Sequence, residues 1–118
     1  MKDVTILKQN GIDVDSAIEL LGDIEIYYDT LKDFLEVSET RMPKLEKYFQ
    51  ENDLENYAIE VHAMKSDSKY LGFTKLAEMS LEHQLKSEEG NKEYVKEHYQ
   101  ELIDEAKKII KIVTDYLA

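Results

Sequence analysis

The sequence predicts an all-α protein: an antiparallel four-helix bundle with a short additional N-terminal helix. Apolar residues recur at steps of three and four almost throughout, and no segment alternates apolar with polar residues in a β-branched-rich run. Gly22, Gly72 and Gly90 fall between the periodic stretches, where they act as stops. A chain of 118 residues can bury one modest core and not two, so residues 1–118 read as a single domain.

Asp13 caps a first short helix that carries Val14, Ala17, Ile18 and Leu21 and ends at Gly22. The second segment places Ile24, Tyr27, Tyr28, Leu31, Phe34, Leu35, Met42, Leu45 and Phe49 in helical phase, with Ser38 bridging the gap. Pro43 removes an interior hydrogen bond and favours a break near residues 39–42, yet the apolar phase survives it, which predicts one long kinked helix. Asn52 with Glu55 has capping-box spacing and opens a third helix that runs to Gly72. Thr74 caps a fourth helix through about Ser87, and Asn91 caps the last one after Gly90. That final helix carries the clearest apolar stripe, from Val95, Tyr99 and Leu102 to Val113 and Leu117. Four long amphipathic helices with short connections make an antiparallel bundle.

Composition narrows the function classes. The 42% hydrophobic content, without long polar tracts or internal repeats, describes a folded domain rather than a disordered segment or a repeat array. A net charge of −11, from 26 acidic and 15 basic residues, argues against a nucleic-acid partner and points to another protein. No apolar run approaches the roughly 20 residues that span a bilayer. Met1-Lys2-Asp3-Val4-Thr5 lacks the layout of a signal peptide, so the expectation is a cytoplasmic protein without membrane contact. With no cysteine, disulfides, thiolate metal sites and thiol nucleophiles are excluded.

Chemistry concentrates on the third helix. Winding residues 54–72 at about 3.6 per turn puts Leu54, Tyr57, Val61, Met64, Ser68 and Leu71 on one side as the core stripe. His62 lies off that stripe. Lys65, Ser66 and Lys69 share its face at i+3, i+4 and i+7, whereas Glu60 and Asp67 point elsewhere. In so acidic a chain this is a small positive island around one imidazole. A phosphoryl group brings roughly two negative charges and three acceptor oxygens, which ammonium groups one and two turns away stabilise. Neutral imidazole is the nucleophile such chemistry needs. A histidine followed by one lysine is commonplace on solvated helix faces. The second lysine, the small Ser66 and the stop at Gly72 raise this stretch above that background.

His62-Ala63-Met64-Lys65-Ser66-Asp67-Ser68, followed by Leu71-Gly72, resembles the signature of histidine-containing phosphotransfer (HPt) domains. The surrounding layout is similar over nearly the whole chain: Leu31, Phe34, Leu35 and Pro43 upstream, Asp53-Leu54 opening the His62 helix, then Leu76-Ala77 and Leu81-Glu82. The resemblance implies a four-helix bundle that carries a phosphoryl group on His62 between receiver aspartates in a multistep phosphorelay. It implies response-regulator receiver domains and a sensor or hybrid histidine kinase as partners. Lys65 matches the family's phosphoryl-stabilising lysine, with Lys69 as auxiliary charge. Ser66 stands where the family commonly has Gly. Asp67 replaces a usual small neutral residue and is expected to affect partner choice. Gln84 occupies the position from which some members orient the histidine, and the winding puts His83 and Gln84 on one side with Leu76 and Ser80. Ile59, Ser66 and Gly72 are the expected docking positions. The chain is expected to be a monomeric, free-standing carrier without a kinase core or bound cofactor, Mg2+ coming with the receiver.

Two other classes compete. A buried di-metal bundle needs Glu-x-x-His pairs on facing helices, and none of the three histidines has Glu three residues before it. His83 and His98 also lack metal-ligand spacing, so no metal site is expected. The remaining alternative is a non-catalytic acidic helical adaptor that binds a signalling partner through an apolar face.

Overall fold

The computed structural model describes residues 3–118; Met1 and Lys2, part of the stretch read above for a leader, lie outside them. Among the described residues there are six helices and no strand: α1 (Thr5–Gln9), α2 (Val14–Leu21), α3 (Ile24–Gln50), α4 (Leu54–Leu71), α5 (Thr74–Glu88) and α6 (Lys92–Leu117). The four long helices form a ring in which α4 and α6 each lie beside both α3 and α5. Connections of two or three residues force each long helix to run antiparallel to the one before it. α2 packs across α3 and α4, and α1 lies against α6. Two short helices therefore precede the bundle where one was expected. α1 is a single turn with no side-chain cap, too short to declare a period, and it is held by Leu7, which is fully buried in the core.

The connections share one design. α3 ends on Asn52 at φ 54°, α4 on Gly72 at φ 81° and the α5 exit on Gly90 at φ 75°. In each case the next residue's N–H reaches back to a carbonyl in the last turn: Asp53 to Tyr48 at 2.9 Å, Phe73 to Ser68 at 2.9 Å, Asn91 to Lys86 at 2.9 Å. Asn52 thus terminates α3 instead of opening α4. The cap is Asp53, whose side chain accepts from the Asn56 N–H. Thr74 likewise is not the cap of α5; Phe73 holds that position without a capping bond. Its ring is instead buried edge-on against Phe34, with centroids 5.0 Å apart. Asp13, Asp23 and Asn91 cap α2, α3 and α6.

α3 runs without interruption through Pro43. The proline is exposed, so the Glu39 carbonyl that loses its partner faces water. The buried side of α3 reads Phe34, Ser38, Arg41, Leu45, an apolar stripe with a charge in it. Arg41, only 5% exposed, bonds Asp67 of α4 at 2.9 Å and lies 4.0 Å from Glu60. Sequence reading passed over Arg41 because an arginine does not register as a core position.

Gly72 is fixed by two constraints at once. Its left-handed backbone disfavours any side chain, and a Cβ placed there would stand 2.3 Å from the Asp13 carbonyl oxygen, whose own N–H bonds the Gly72 carbonyl at 2.9 Å. Gly72→Ala is expected to lower the unfolding free energy by at least about 2 kcal/mol. Urea denaturation checks this, and a loss below about 0.5 kcal/mol would mean that α2 does not approach as closely as described.

Candidate functional site

His62 projects from the middle of α4 and is exposed, while its neighbours Tyr57, Val61, Met64, Ser68 and Leu71 fill the core. Its Nδ1 lies 3.0 Å from Oε1 of Gln84 on α5. The amide nitrogen of Gln84 donates in turn to Glu88 Oε2 at 3.3 Å. Nε2 of His62 has no partner among the described residues. The expected approach of Gln84 to the histidine is thus present. His83 does not share it: with Leu76, Ser80 and Ser87 it forms the buried stripe of α5, one residue's rotation away from Gln84.

Ser66, one turn beyond His62, folds its hydroxyl back onto the His62 carbonyl at 3.2 Å, which satisfies the group and keeps it off the imidazole. Lys65 is half-buried and Lys69 exposed, and neither ammonium takes part in an ion pair among the described residues. Glu60 and Asp67 face α3, where Arg41 holds them. The charge sorting read from helical phase is therefore present, with a cause that phase alone did not supply. Asp67 pairs with Arg41 within the fold while its side chain stays 42% exposed.

Two shallow hollows flank the α4–α5 seam. One, of about 600 Å³, is lined by Leu54, Ala58 and Ile59, with His62 and Gln84 at its edge and Glu55 and Glu88 on its rim. The other, of about 350 Å³, is lined by Lys65, Lys69, Ala77 and Leu81. Ile59 is 59% exposed, one turn before His62, and lines the first hollow, while the exposed Leu81 lines the second. Gly72 lines neither. It is buried against Asp13 ten residues beyond His62, about 15 Å along the helix, so its place among the docking positions is corrected to a structural one.

Among the described residues no group of three or more His, Cys, Asp or Glu side chains is arranged to hold a metal ion. No helix among them is long and apolar enough to cross a membrane. A family model described as Hpt domain matches residues 29–111. No curated protein and no solved structure matches the chain. The matched stretch contains all three histidines, and of these only His62 is exposed. His98 is half-buried, with Nδ1 3.2 Å from Glu101.

His83 is 1% exposed, and its Nδ1 meets the Tyr57 hydroxyl at 2.9 Å. Burial, reinforced by nearby His98, pushes its pKa down to about 4, and burial pushes the Tyr57 phenol up, so a neutral tyrosine donates to a neutral histidine. Unfolded His83 takes up a proton near its ordinary 6.5, the folded protein only near 4. Between those values the unfolded state holds more protons, so stability falls as pH drops through this window and levels off below it. The contribution at stake is about 3 kcal/mol. Urea unfolding of wild type and His83→Gln between neutral pH and the lower end of that window is expected to show their stability difference shrinking as pH falls. A difference that stays constant would place His83 outside the core.

Proposed function

The chain belongs to the Hpt domain family, and from that membership we propose that His62 is its phosphorylated residue. Histidine phosphotransfer in two-component phosphorelays is what the family membership implies, and Hpt domains are phosphocarrier modules without a kinase core. The observation that carries the assignment to His62 is its ring geometry: exposed, with Nδ1 engaged by Gln84 and Nε2 unpartnered. The other two histidines are buried or half-buried and engaged.

In the proposed reaction the Nε2 lone pair attacks the phosphorus of an aspartyl phosphate on a receiver domain. The N–P bond forms as the P–O bond to the aspartate breaks, and that electron pair leaves on the carboxylate. Transfer of this kind depends on positioning and charge stabilisation, so an exposed imidazole on a rigid helix suffices without a deep pocket. Lys65 stabilises the phosphoryl oxygens and Lys69 adds positive charge one turn further on. Ile59 and the apolar hollow beside it receive the receiver's surface, while Ser66 leaves the ring approachable. The metal that the reaction uses, Mg2+, belongs to the receiver. A sensor or hybrid kinase supplies phosphoryl groups to the relay, and this chain acts as a monomeric carrier within it.

With a labelled phospho-receiver, His62→Gln is expected to accept no label, while Lys65→Ala accepts it about tenfold more slowly with unchanged unfolding behaviour. Label appearing on His62→Gln at the wild-type rate would sink the assignment. Unchanged kinetics for Lys65→Ala would remove that lysine from the mechanism.

A further inference from the structure

We infer that Glu88 is a positioning residue for His62, acting through Gln84 to select the ring tautomer; the inference rests on the phosphotransfer reading above. A primary amide has an accepting end and a donating end, and His62 alone does not choose between them. With the oxygen towards the ring, Nδ1 carries the proton and Nε2 the lone pair. With the nitrogen towards the ring, Nδ1 accepts, the proton moves to Nε2, and the outward nitrogen is no nucleophile. A carboxylate only accepts, so Glu88 Oε2, 3.3 Å from Gln84 Nε2, holds the donating end on its own side and turns Oε1 to His62 Nδ1, 3.0 Å away.

The spacing makes this chain of contacts natural. Gln84 and Glu88 are one turn apart on α5, and α4 presents His62 opposite the upper of the two. As Nε2 bonds to phosphorus, Nδ1 keeps its proton and the ring becomes positively charged. The Gln84 oxygen then faces a cation, with a carboxylate behind the amide, an arrangement that favours the charged ring over the neutral one. The location is otherwise a poor one for a carboxylate. Glu88 is the last residue of α5, where the helix dipole repels negative charge, and it has no cation within 4.0 Å among the described residues. Lys86 pairs with Glu89 instead. Helix stability therefore does not explain an acid at this position, whereas the contact with Gln84 does.

The test compares wild type, Glu88→Ala and Glu88→Gln by long-range 1H–15N spectra of the neutral His62 ring and by labelling with phosphoramidate, a small donor that needs no protein partner. Wild type is expected to show the Nδ1–H form. Glu88→Ala is expected to shift population to Nε2–H and to slow labelling about five- to tenfold. Its thermal stability should not fall, because a charge opposed to the helix dipole has been removed. Glu88→Gln, whose amide can accept from Gln84 or donate to it, no longer fixes the orientation and is expected to give a mixture of the two tautomers with a rate between those of wild type and Glu88→Ala; a pure Nδ1–H form at the wild-type rate would overturn the role of the carboxylate. Glu88→Ala with the wild-type tautomer and rate would overturn the inference. Absence of label on wild-type His62, from phosphoramidate and from a phospho-receiver alike, would instead remove the phosphotransfer reading, while the spectra would still decide whether Glu88 holds the ring.

Discussion

The spacing and register of α4 against α5 govern the site, because His62 and Gln84 belong to different helices and meet only if both are right. Small side chains set the spacing. Ala58 and Ser68 of α4 and Ser80 and Ser87 of α5 are buried, and residues of that size let helices approach closely. The serines add little polar bonding, since the hydroxyls of Ser68, Ser80 and Ser87 have no hydrogen-bond partner among the described residues. Register is set by two features. The connection of Gly72 and Phe73 is too short to slip, and the Tyr57–His83 bond is a buried polar contact that a displaced helix would leave unsatisfied on both sides. Because His83 precedes Gln84 directly, fixing the first fixes where the second emerges.

Charge is the second constraint, and α3 imposes it from the far side. The chain is strongly acidic, yet on α4 around His62 stand Lys65 and Lys69, neither of them in an ion pair among the described residues, with Glu78 of α5 lining the same hollow. Arg41 makes this possible by collecting Asp67 and Glu60 on the α3 side. A largely buried guanidinium is expensive to desolvate and contributes little net stability even when paired. Its consequence is specific instead: two carboxylates on α4 are turned towards α3 and away from the face that carries His62. Asp67 departs from the small neutral residue usual in the family resemblance, and Arg41 is what accommodates the departure.

The sequence exposed periodic features well and local alternatives poorly. The long helices and the off-stripe position of His62 follow from a 3.6-residue period that many residues report together, so no single exception hides it. Asn52 was misread because asparagine suits both a left-handed helix terminator and a helix cap; with Asp53 next to it, only the backbone decides which does which. Thr74 failed differently, since Phe73 enters the core and gives up the capping bond that threonine would have made one residue earlier. Arg41 was invisible because its apolar-phase position is legible only once its acidic partners on α4 are placed. The family resemblance put Gln84 at the orienting position and phase was compatible with it, but its 3.0 Å approach depends on interhelical spacing, which no pattern within one helix contains.

An amide, rather than a carboxylate, in direct contact with the imidazole suits the proposed role of a carrier. A carboxylate bonded to Nδ1 would stabilise the positively charged ring strongly and pull the exchange towards phosphohistidine. A neutral amide fixes the same nitrogen with less bias, and the carboxylate one bond further away adds a weaker, solvent-screened effect. The shallow, open setting of His62 acts in the same direction, because nothing encloses the ring in a low-dielectric pocket that would magnify these charges. A group that must be both accepted and surrendered requires the two ends of the transfer to lie close in free energy. On that reading the features that look weak for a catalyst, an exposed ring and an indirect acid, are what keep the exchange reversible.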